Sequence, residues 1–415
     1  MQKKLLVISY TFPPSNKVGG RRWSKFSKYL IKSNIDVRIL TSYNNIGEQW
    51  EQDLLDLKDK IDFINFNYPK YLGIYPLSIF HKLLYKASLI YSKLATNKNF
   101  YDKSVHGKTN LLKKVEYYIN LGYNNVVVSI APFHLATYVS ELIIKHPKVN
   151  FIVDFRDPWI GNKTSYGYYS LNDRRKINEK ISEKKVVEKF NNVVSVSDSI
   201  TKSLKNRYPN SKALFSTIPN GFDRDDYLNI KIEKIKLSKS KIRLVFSGTF
   251  YDSAEKYLTL LSKWLDEIRV HNLEIYDSIY IDFFGTINIQ NPIFDNNKNI
   301  NFHGLKSKEV VYKEILKSDG CLLFLTDDIN YSFSSKFCDY IALKKPIIVF
   351  SNQGLTSNYI DENKIGQSFS IENSYETFLD MIKSLKTKSS NYYLNYNSKP
   401  FDLEYITKDY LKILT

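Results

Sequence analysis

The sequence predicts an α/β chain built as two doubly wound, Rossmann-like domains. Short apolar strands alternate with amphipathic helical segments along the chain, which is the pattern of parallel α/β layers. The pattern stops at a lysine-rich connector, Lys231 to Lys241, and then starts again. The length of 415 residues suits two cores of ordinary size.

In chain order, the first half supplies strands at Lys4 to Ser9, Val37 to Thr41, Ile61 to Asn65, Asn125 to Ile130, Asn150 to Asp154 and Asn192 to Ser197. Ile218-Pro219-Asn220-Gly221 closes this half. The second half supplies Arg243 to Ser247, Ile279 to Phe284, Ile300 to His303, Gly320 to Leu325, Ile347 to Phe350 and Ser368 to Ser370. Leu403 to Leu414 is an amphipathic segment, read as a helix that crosses back onto the first domain. The expected limits are 1–217, 218–395 and 396–415, the last being the returning helix. Ligands of doubly wound sheets bind beyond the carboxyl ends of the strands, so the two domains are expected to face each other across a cleft.

The composition, 43% hydrophobic and 25% charged, is that of a globular chain. No apolar run approaches the roughly 18 residues of a membrane-spanning helix. The apolar core of the amino-terminal stretch is too short for a signal peptide, so a cytoplasmic protein is expected. Cys321 and Cys338 are the only cysteines, which argues against a disulfide framework or a cysteine-built zinc site. The formal net charge of +17 asks for an anionic partner: nucleic acid, an anionic membrane or a phosphorylated substrate. From Lys70 to Lys114 nine lysines stand against one acid, Asp102, amid Tyr71, Tyr75, Phe80, Tyr85, Tyr91, Phe100 and Tyr101. Basic and aromatic residues on amphipathic helices suit peripheral contact with an anionic membrane. A chain rich in Lys, Asn, Ile and Tyr throughout is the plainer explanation of the same count.

Ser334-Ser335-Lys336-Phe337-Cys338-Asp339-Tyr340 is the most informative motif. Two serines open an amphipathic helix that carries Lys336 in its first turn and Asp339 one turn on. A helix start offers unpaired N–H groups and partial positive charge to a phosphate. Lys336 adds a full charge, and Asp339 is spaced to reach a ribose hydroxyl. Gly248-Thr249, Gly285 and Gly304 end three strands of the second half and permit close backbone contact with a nucleotide. Gly19 and Gly20 follow the first strand in a Pro13-Pro14 loop, with Arg21 and Arg22 at the start of the next helix. This is not the glycine fingerprint of a dinucleotide dehydrogenase. His134 leaves another strand at its carboxyl end, either bonding a substrate hydroxyl or capping a helix. Asp154, Arg156 and Asp157 beside Trp159 suggest an internal Arg–Asp lock that shapes a pocket wall, with Asn220 at the junction. Asp223-Arg224-Asp225 spells a metal-binding Asp-x-Asp, but its place after Asn220-Gly221-Phe222 reads as a polar hinge with a helix cap. No metal is expected.

This order of motifs resembles the GT-B glycosyltransferases, and within them the retaining family 4 enzymes of bacterial surface polysaccharide synthesis. The matching residues are Phe12-Pro13-Pro14 with Gly19-Gly20, Asp154 to Trp159, Pro219 to Asp223, Phe246 to Thr249 and Ser335 to Tyr340. The resemblance implies a nucleotide diphosphate-sugar donor held mainly by the second domain and a saccharide or lipid-linked saccharide acceptor held by the first. It implies Lys336, with the Ser334–Ser335 helix start and the Gly19–Gly20 loop, at the leaving phosphate. It also implies Asp339 at the ribose, His134 at the transferred sugar or acceptor, and Gly285 and Gly304 flanking the base. The chain departs from the family at Tyr331, where the first of two glutamates belongs, and in lacking the Gly-Arg-xxxx-Lys pair, for which Lys256 is a substitute. Two other readings stay open. A nucleotide-sugar 2-epimerase shares the architecture but needs acid/base groups of which His134 is the one obvious candidate. A basic nucleic-acid-binding protein would explain the charge but shows no recognisable module, so no nucleic acid is expected.

Overall fold

The computed structural model describes residues 2–15, 18–42, 50–66, 71, 78–95, 102–161, 168–228, 230, 241–250, 252–286, 299–326, 329, 331–387 and 392–415. Nearly all of the 231–241 connector lies outside the described residues, as do 70, 72–77 and 96–101 of the basic segment and 16–17 of the first loop. The chain divides into two compact units, Met1–Pro219 with Leu403–Thr415, and Asn220–Asp402.

The first unit is a parallel sheet of β1 (Lys4–Ser9), β2 (Asp36–Ser42), β3 (Ile61–Ile64), β4 (Asn125–Ile130), β5 (Asn150–Phe155), β6 (Asn192–Ser195) and β7 (Leu214–Thr217), in the order β3-β2-β1-β4-β5-β6-β7. Every residue of β4 and β5 is buried. A parallel sheet covered on both faces demands that, and Val126-Val127-Val128 supplies it. The order reverses between β1 and β4, whose register sets Ser9 beside Ser129 at the carboxyl edge. The connections between these strands carry α1 (Val18–Lys32), α2 (Ile79–Ala95), α3 (Lys108–Asn120), α4 (His134–Val139), α5 (Asp173–Lys189) and α6 (Asp198–Arg207). β7 is absent from the sequence reading. It is a short edge strand, Leu214-Phe215-Ser216-Thr217, with no fully buried residue, so its apolar signal is weak.

The second unit repeats the plan with six parallel strands: β8 (Ile242–Ser247), β9 (Ile279–Phe284), β10 (Ile300–Gly304), β11 (Gly320–Phe324), β12 (Ile347–Phe350) and β13 (Gly366–Phe369). Their order, β10-β9-β8-β11-β12-β13, places the reversal between β8 and β11. α7 (Glu255–His271), α8 (Leu273–Ser278), α9 (Lys308–Lys317), α10 (Ser335–Ala342), α11 (Leu355–Glu362) and α12 (Tyr375–Thr387) connect them. α7 buries Tyr257, Leu258, Leu261, Trp264, Leu265 and Ile268, a stripe at helical spacing. Trp264 meets Phe350 at 5.8 Å and Phe378 at 5.5 Å, joining α7, β12 and α12 in one aromatic core.

The chain enters and leaves the second unit at one place. Phe222 N–H donates to Phe401 O at 2.8 Å, and Phe222 bridges to Asp402. α13 (Leu403–Ile413) then belongs to the first unit, burying Leu403, Ile406 and Tyr410. The Tyr410 ring lies 4.9 Å from Trp23 and 4.8 Å from Phe26 of α1. Beyond it, the Asn125 amide donates to Thr415 O at 3.0 Å and the Asn150 amide to Ile413 O at 2.8 Å, so side chains at the amino ends of β4 and β5 hold the last residues.

Candidate functional site

The carboxyl edge of the second sheet carries three glycines in a connected row. Gly248 N–H donates to Phe284 O at 2.7 Å, and Gly285 N–H donates to Gly304 O at 2.8 Å. All three have positive φ: +115°, +125° and +65° at Gly248, Gly285 and Gly304. A Cβ on Gly285 would lie 2.2 Å from Gly248 O, and one on Gly248 would lie 2.2 Å from Cε of Lys336. Glycine is therefore favoured at both positions by conformation, and at Gly285 also by the backbone packed against it. The strand ends fit together only as bare backbone, and the space beside Gly248 is filled by a lysine stem.

Lys336 stands in the first turn of α10 and reaches back to this row. Its Nζ donates to Thr249 O at 2.8 Å and sits 4.6 Å from the centre of the Phe246 ring. Burial lowers its pKa to about 8. Among the described residues it has no carboxylate partner. A cation held by a carbonyl and an aromatic face, with no counter-charge, favours an anion at that place. α10 is oriented to help. Ser334 caps it, its Oγ accepting from Phe337 N–H at 3.2 Å. The amides of Ser335 and Lys336 precede any intrahelical acceptor and add the positive end of the helix dipole. Tyr340 fixes the helix in place, its hydroxyl accepting from Ser247 N–H at 3.0 Å and donating to Leu322 O at 3.2 Å.

Asp339, the residue expected at a ribose, is held by a tyrosine of the same unit. The residue is buried, and Oδ1 accepts from the Tyr227 hydroxyl at 2.7 Å. Tyr227, remote in sequence, is the partner that sequence reading missed. Two further groups were missed: Thr326 Oγ1, just past β11, and Ser351 Oγ, just past β12, are buried with no hydrogen-bond partner among the described residues. A hydroxyl directly after an apolar strand was the signal available for both. Asn220 fastens the approach to the helix, its Nδ2 donating to Phe333 O at 3.2 Å. Asp223 caps the short turn Arg224–Asp226 by accepting from Asp225 N–H at 3.1 Å, and Arg224 pairs with Asp402. Tyr331 is half-buried, and Lys256 is exposed with its Nζ 4.8 Å from the Tyr257 ring centre.

In the first unit the lock exists but with another arginine. Asp154, wholly buried, accepts from Arg22 Nε at 2.9 Å, from Arg22 Nη2 at 3.1 Å and from Trp23 Nε1 at 2.7 Å. Arg22 also donates to Ile218 O at 2.7 Å, Pro219 O at 2.9 Å and the Tyr410 hydroxyl at 3.1 Å. One buried pair thus ties α1, β5, the end of the first half and α13. Losing one partner of such a pair costs about 3–5 kcal/mol, because the other charge is stranded. Arg156 donates instead to carbonyls, Ile130 O and Ala131 O at 3.1 Å each and Gly19 O. Burial lowers its pKa against the raising charges of Asp157, half-buried beside it, and Asp154. Gly19 and Gly20 are not in a loop. They lie within the first turn of α1, where a Cβ on Gly20 would come 3.1 Å from Phe12 Cα and one on Gly19 3.0 Å from Arg156 Nη1.

His134 is also placed differently from the expected ligand contact. Its ring is enclosed, with Nε2 2.9 Å from Glu179 Oε2 and an edge-on contact to Trp159 at 5.2 Å. Trp159 Nε1 donates to the same Glu179 oxygen at 2.7 Å. Burial alone would raise the Glu179 pKa, but the hydrogen bond and charge of His134, with Arg175 and Trp159, hold it below the usual range. No local pattern marks Glu179 for this role, since its helix is crowded with exposed charge.

Comparison with solved structures finds this fold in known proteins. The chain is similar to a sucrose-phosphate synthase from Thermosynechococcus elongatus, with a TM-score of 0.60 and 10% identity over 100% of this chain and 95% of that one. It is similar to a glycosyltransferase from Rickettsia africae, with a TM-score of 0.59 and 16% identity over 100% and 98% of the two chains. It is similar too to the E. coli trehalose-6-phosphate protein bound with UDP-2-fluoro glucose, with a TM-score of 0.58 and 8% identity over 99% of each. Likeness at these identities establishes the fold, the GT-B architecture of two Rossmann-like α/β domains. No protein-family model matches the sequence, and no curated protein does.

Proposed function

We propose that the chain is a glycosyltransferase that draws on a nucleotide diphosphate-sugar held by its second unit. The observation that carries this reading is Lys336: a cation without a carboxylate partner among the described residues, at a helix start, beside the glycine strand ends. A diphosphate would supply the missing charge, and Thr326 Oγ1 and Ser351 Oγ are hydroxyls near the same sheet edge in need of partners. The solved neighbours include a protein bound with a UDP-sugar analogue, which adds support.

In the transfer, the bond from the sugar to the diphosphate breaks and negative charge grows on the leaving oxygen. Lys336 Nζ and the amides of Ser335 and Lys336 would stabilise it, and no metal is needed where they suffice. Transfer with retention fits this arrangement, since the departing phosphate can take the acceptor's proton on the same face. The first unit would hold the acceptor. The sequence resemblance favours a saccharide or lipid-linked saccharide there, in bacterial capsule, O-antigen or exopolysaccharide synthesis. His134 and the Gly19–Gly20 turn serve that unit by shaping it, a role that fits their enclosure better than chemistry.

Thermal shifts with UDP, GDP, ADP and CMP, with and without magnesium, test the donor site. One nucleoside diphosphate is expected to stabilise the wild type independently of magnesium, and Lys336→Ala to abolish the shift. With the sugar donor, that substitution is expected to slow turnover on the order of 10²–10³-fold. Absence of any nucleotide shift in the wild type would overturn the proposal.

A further inference from the structure

We infer that α2 is an interfacial anchor that seats the chain on an anionic lipid surface. The helix is inverted relative to an ordinary surface helix. Its polar Ser92 is fully buried, with Oγ 3.2 Å from Nε2 of His106. Its large apolar residues face out: Ile79, Phe80, Leu83, Ile90, Tyr91 and Leu94 are all exposed, Ile79 to 80% and Leu94 to 68%. At 3.6 residues per turn these six fall in one arc of about 120°, with Ser92 on the opposite side. Scattered exposed hydrophobes are ordinary, whereas a continuous stripe calls for an apolar partner.

Charge identifies the partner. α2 contains no Asp or Glu, and the exposed Lys82 and Lys86 run along one border of the stripe. Asp102, the one acid between Lys70 and Lys114, is spent within the fold, accepting from Ser104 N–H and His134 N–H at 2.9 Å each. A second copy of this face would set lysines against lysines with no acid to meet them. An anionic bilayer satisfies both features: the stripe enters the boundary of headgroups and acyl chains while the lysines stay among the headgroups. Among the described residues no helix is long and apolar enough to cross a membrane, so α2 lies along the surface.

Flotation with vesicles of phosphatidylcholine, alone or mixed with phosphatidylglycerol, tests this without any nucleotide present. Failure here therefore leaves the donor-site reading intact, and failure of the nucleotide panel leaves this inference intact. The wild type is expected to float with mixed vesicles and more weakly with neutral ones. Leu83→Asp with Ile90→Asp is expected to abolish flotation with both while leaving the melting temperature unchanged, since both side chains point outward. Lys82→Gln with Lys86→Gln is expected to weaken binding to mixed vesicles about fivefold per lysine and to leave the neutral vesicles unaffected. A wild type that floats with neither vesicle, or a stripe variant that floats as well as the wild type, would overturn the inference. So would a dimer in light scattering that the stripe variant dissolves, which would assign the face to a second copy.

Discussion

Lys336 is charged where the fold disfavours charge, and that gives its role a signed pH dependence. Burial brings its pKa from the usual 10.5 to about 8. Between those values the unfolded chain holds a proton that the folded chain lacks, so this residue makes stability rise with pH across that window. A bound diphosphate acts in the opposite direction by raising the lysine's pKa. Nucleotide affinity is therefore expected to fall as pH rises through about 8, with proton uptake on binding above it. Calorimetry in two buffers of different ionisation heat would read that uptake, and Lys336→Met should remove it; affinity that stays flat above this pH would refute the role. Lys336 was legible because its meaning is local: a lysine in the first turn after two serines. The partners of buried charge were not. Asp154 and Arg22 lie 132 residues apart, and Asp339 and Tyr227 lie 112 apart. Nothing in the local sequence distinguishes Arg22 from the adjacent Arg156 as the mate of Asp154, because the choice is made by where α1 packs on β5.

Among the elements, the strand-end row separates glycines that look alike in sequence. Gly285 and Gly304 both follow an aromatic-rich strand and both have positive φ. Their surroundings differ, since a Cβ on Gly285 meets Gly248 O at 2.2 Å and one on Gly304 meets nothing within 4 Å. Gly285→Ala should thus cost about 2–4 kcal/mol, from strain together with a backbone clash, and should weaken nucleotide binding. Gly304→Ala should cost only about 1–2 kcal/mol, the penalty of a left-handed residue. Urea unfolding of both variants checks the contrast, and equal losses would mean that the row does not hold the strand ends together. The strands themselves were legible because a parallel sheet buried on both faces needs unbroken apolar runs, as in β4 and β12. β7 lacks such a run. Gly19 and Gly20 misled in the other direction. Glycine is a poor helix former, so a loop was the natural expectation. Inside α1 they lie against Arg156 and the Phe12 backbone, where a Cβ would come to 3.0 Å and 3.1 Å and the neighbours would have to give way slightly.

At the scale of the whole molecule, the chain's last residues complete its first core rather than its second. Leu403, Ile406, Tyr410 and Leu414 pack in one cluster with Trp23, Phe26, Val37 and Val127. Among the described residues the buried clusters of the second unit, one around Trp264 and one joining Phe222 to Phe337 and Phe401, include none of these. Burying four large side chains contributes roughly 6–12 kcal/mol as an upper figure. That rivals the entire stability of an ordinary domain, about 5–15 kcal/mol. Removing residues 403–415 would also free the Arg22 guanidinium from the Tyr410 hydroxyl and the Asn125 and Asn150 amides from the terminal carbonyls. Such a truncation is expected to unfold the first unit selectively. In hydrogen exchange, β1, β4 and β5 should lose protection while β8, β11 and β12 keep theirs, and the nucleotide-dependent thermal shift should persist with the second unit. Equal loss across both sheets would mean that the second unit depends on the first for its stability, and full retention in β1 and β4 would mean that α13 is an accessory to a core already complete without it.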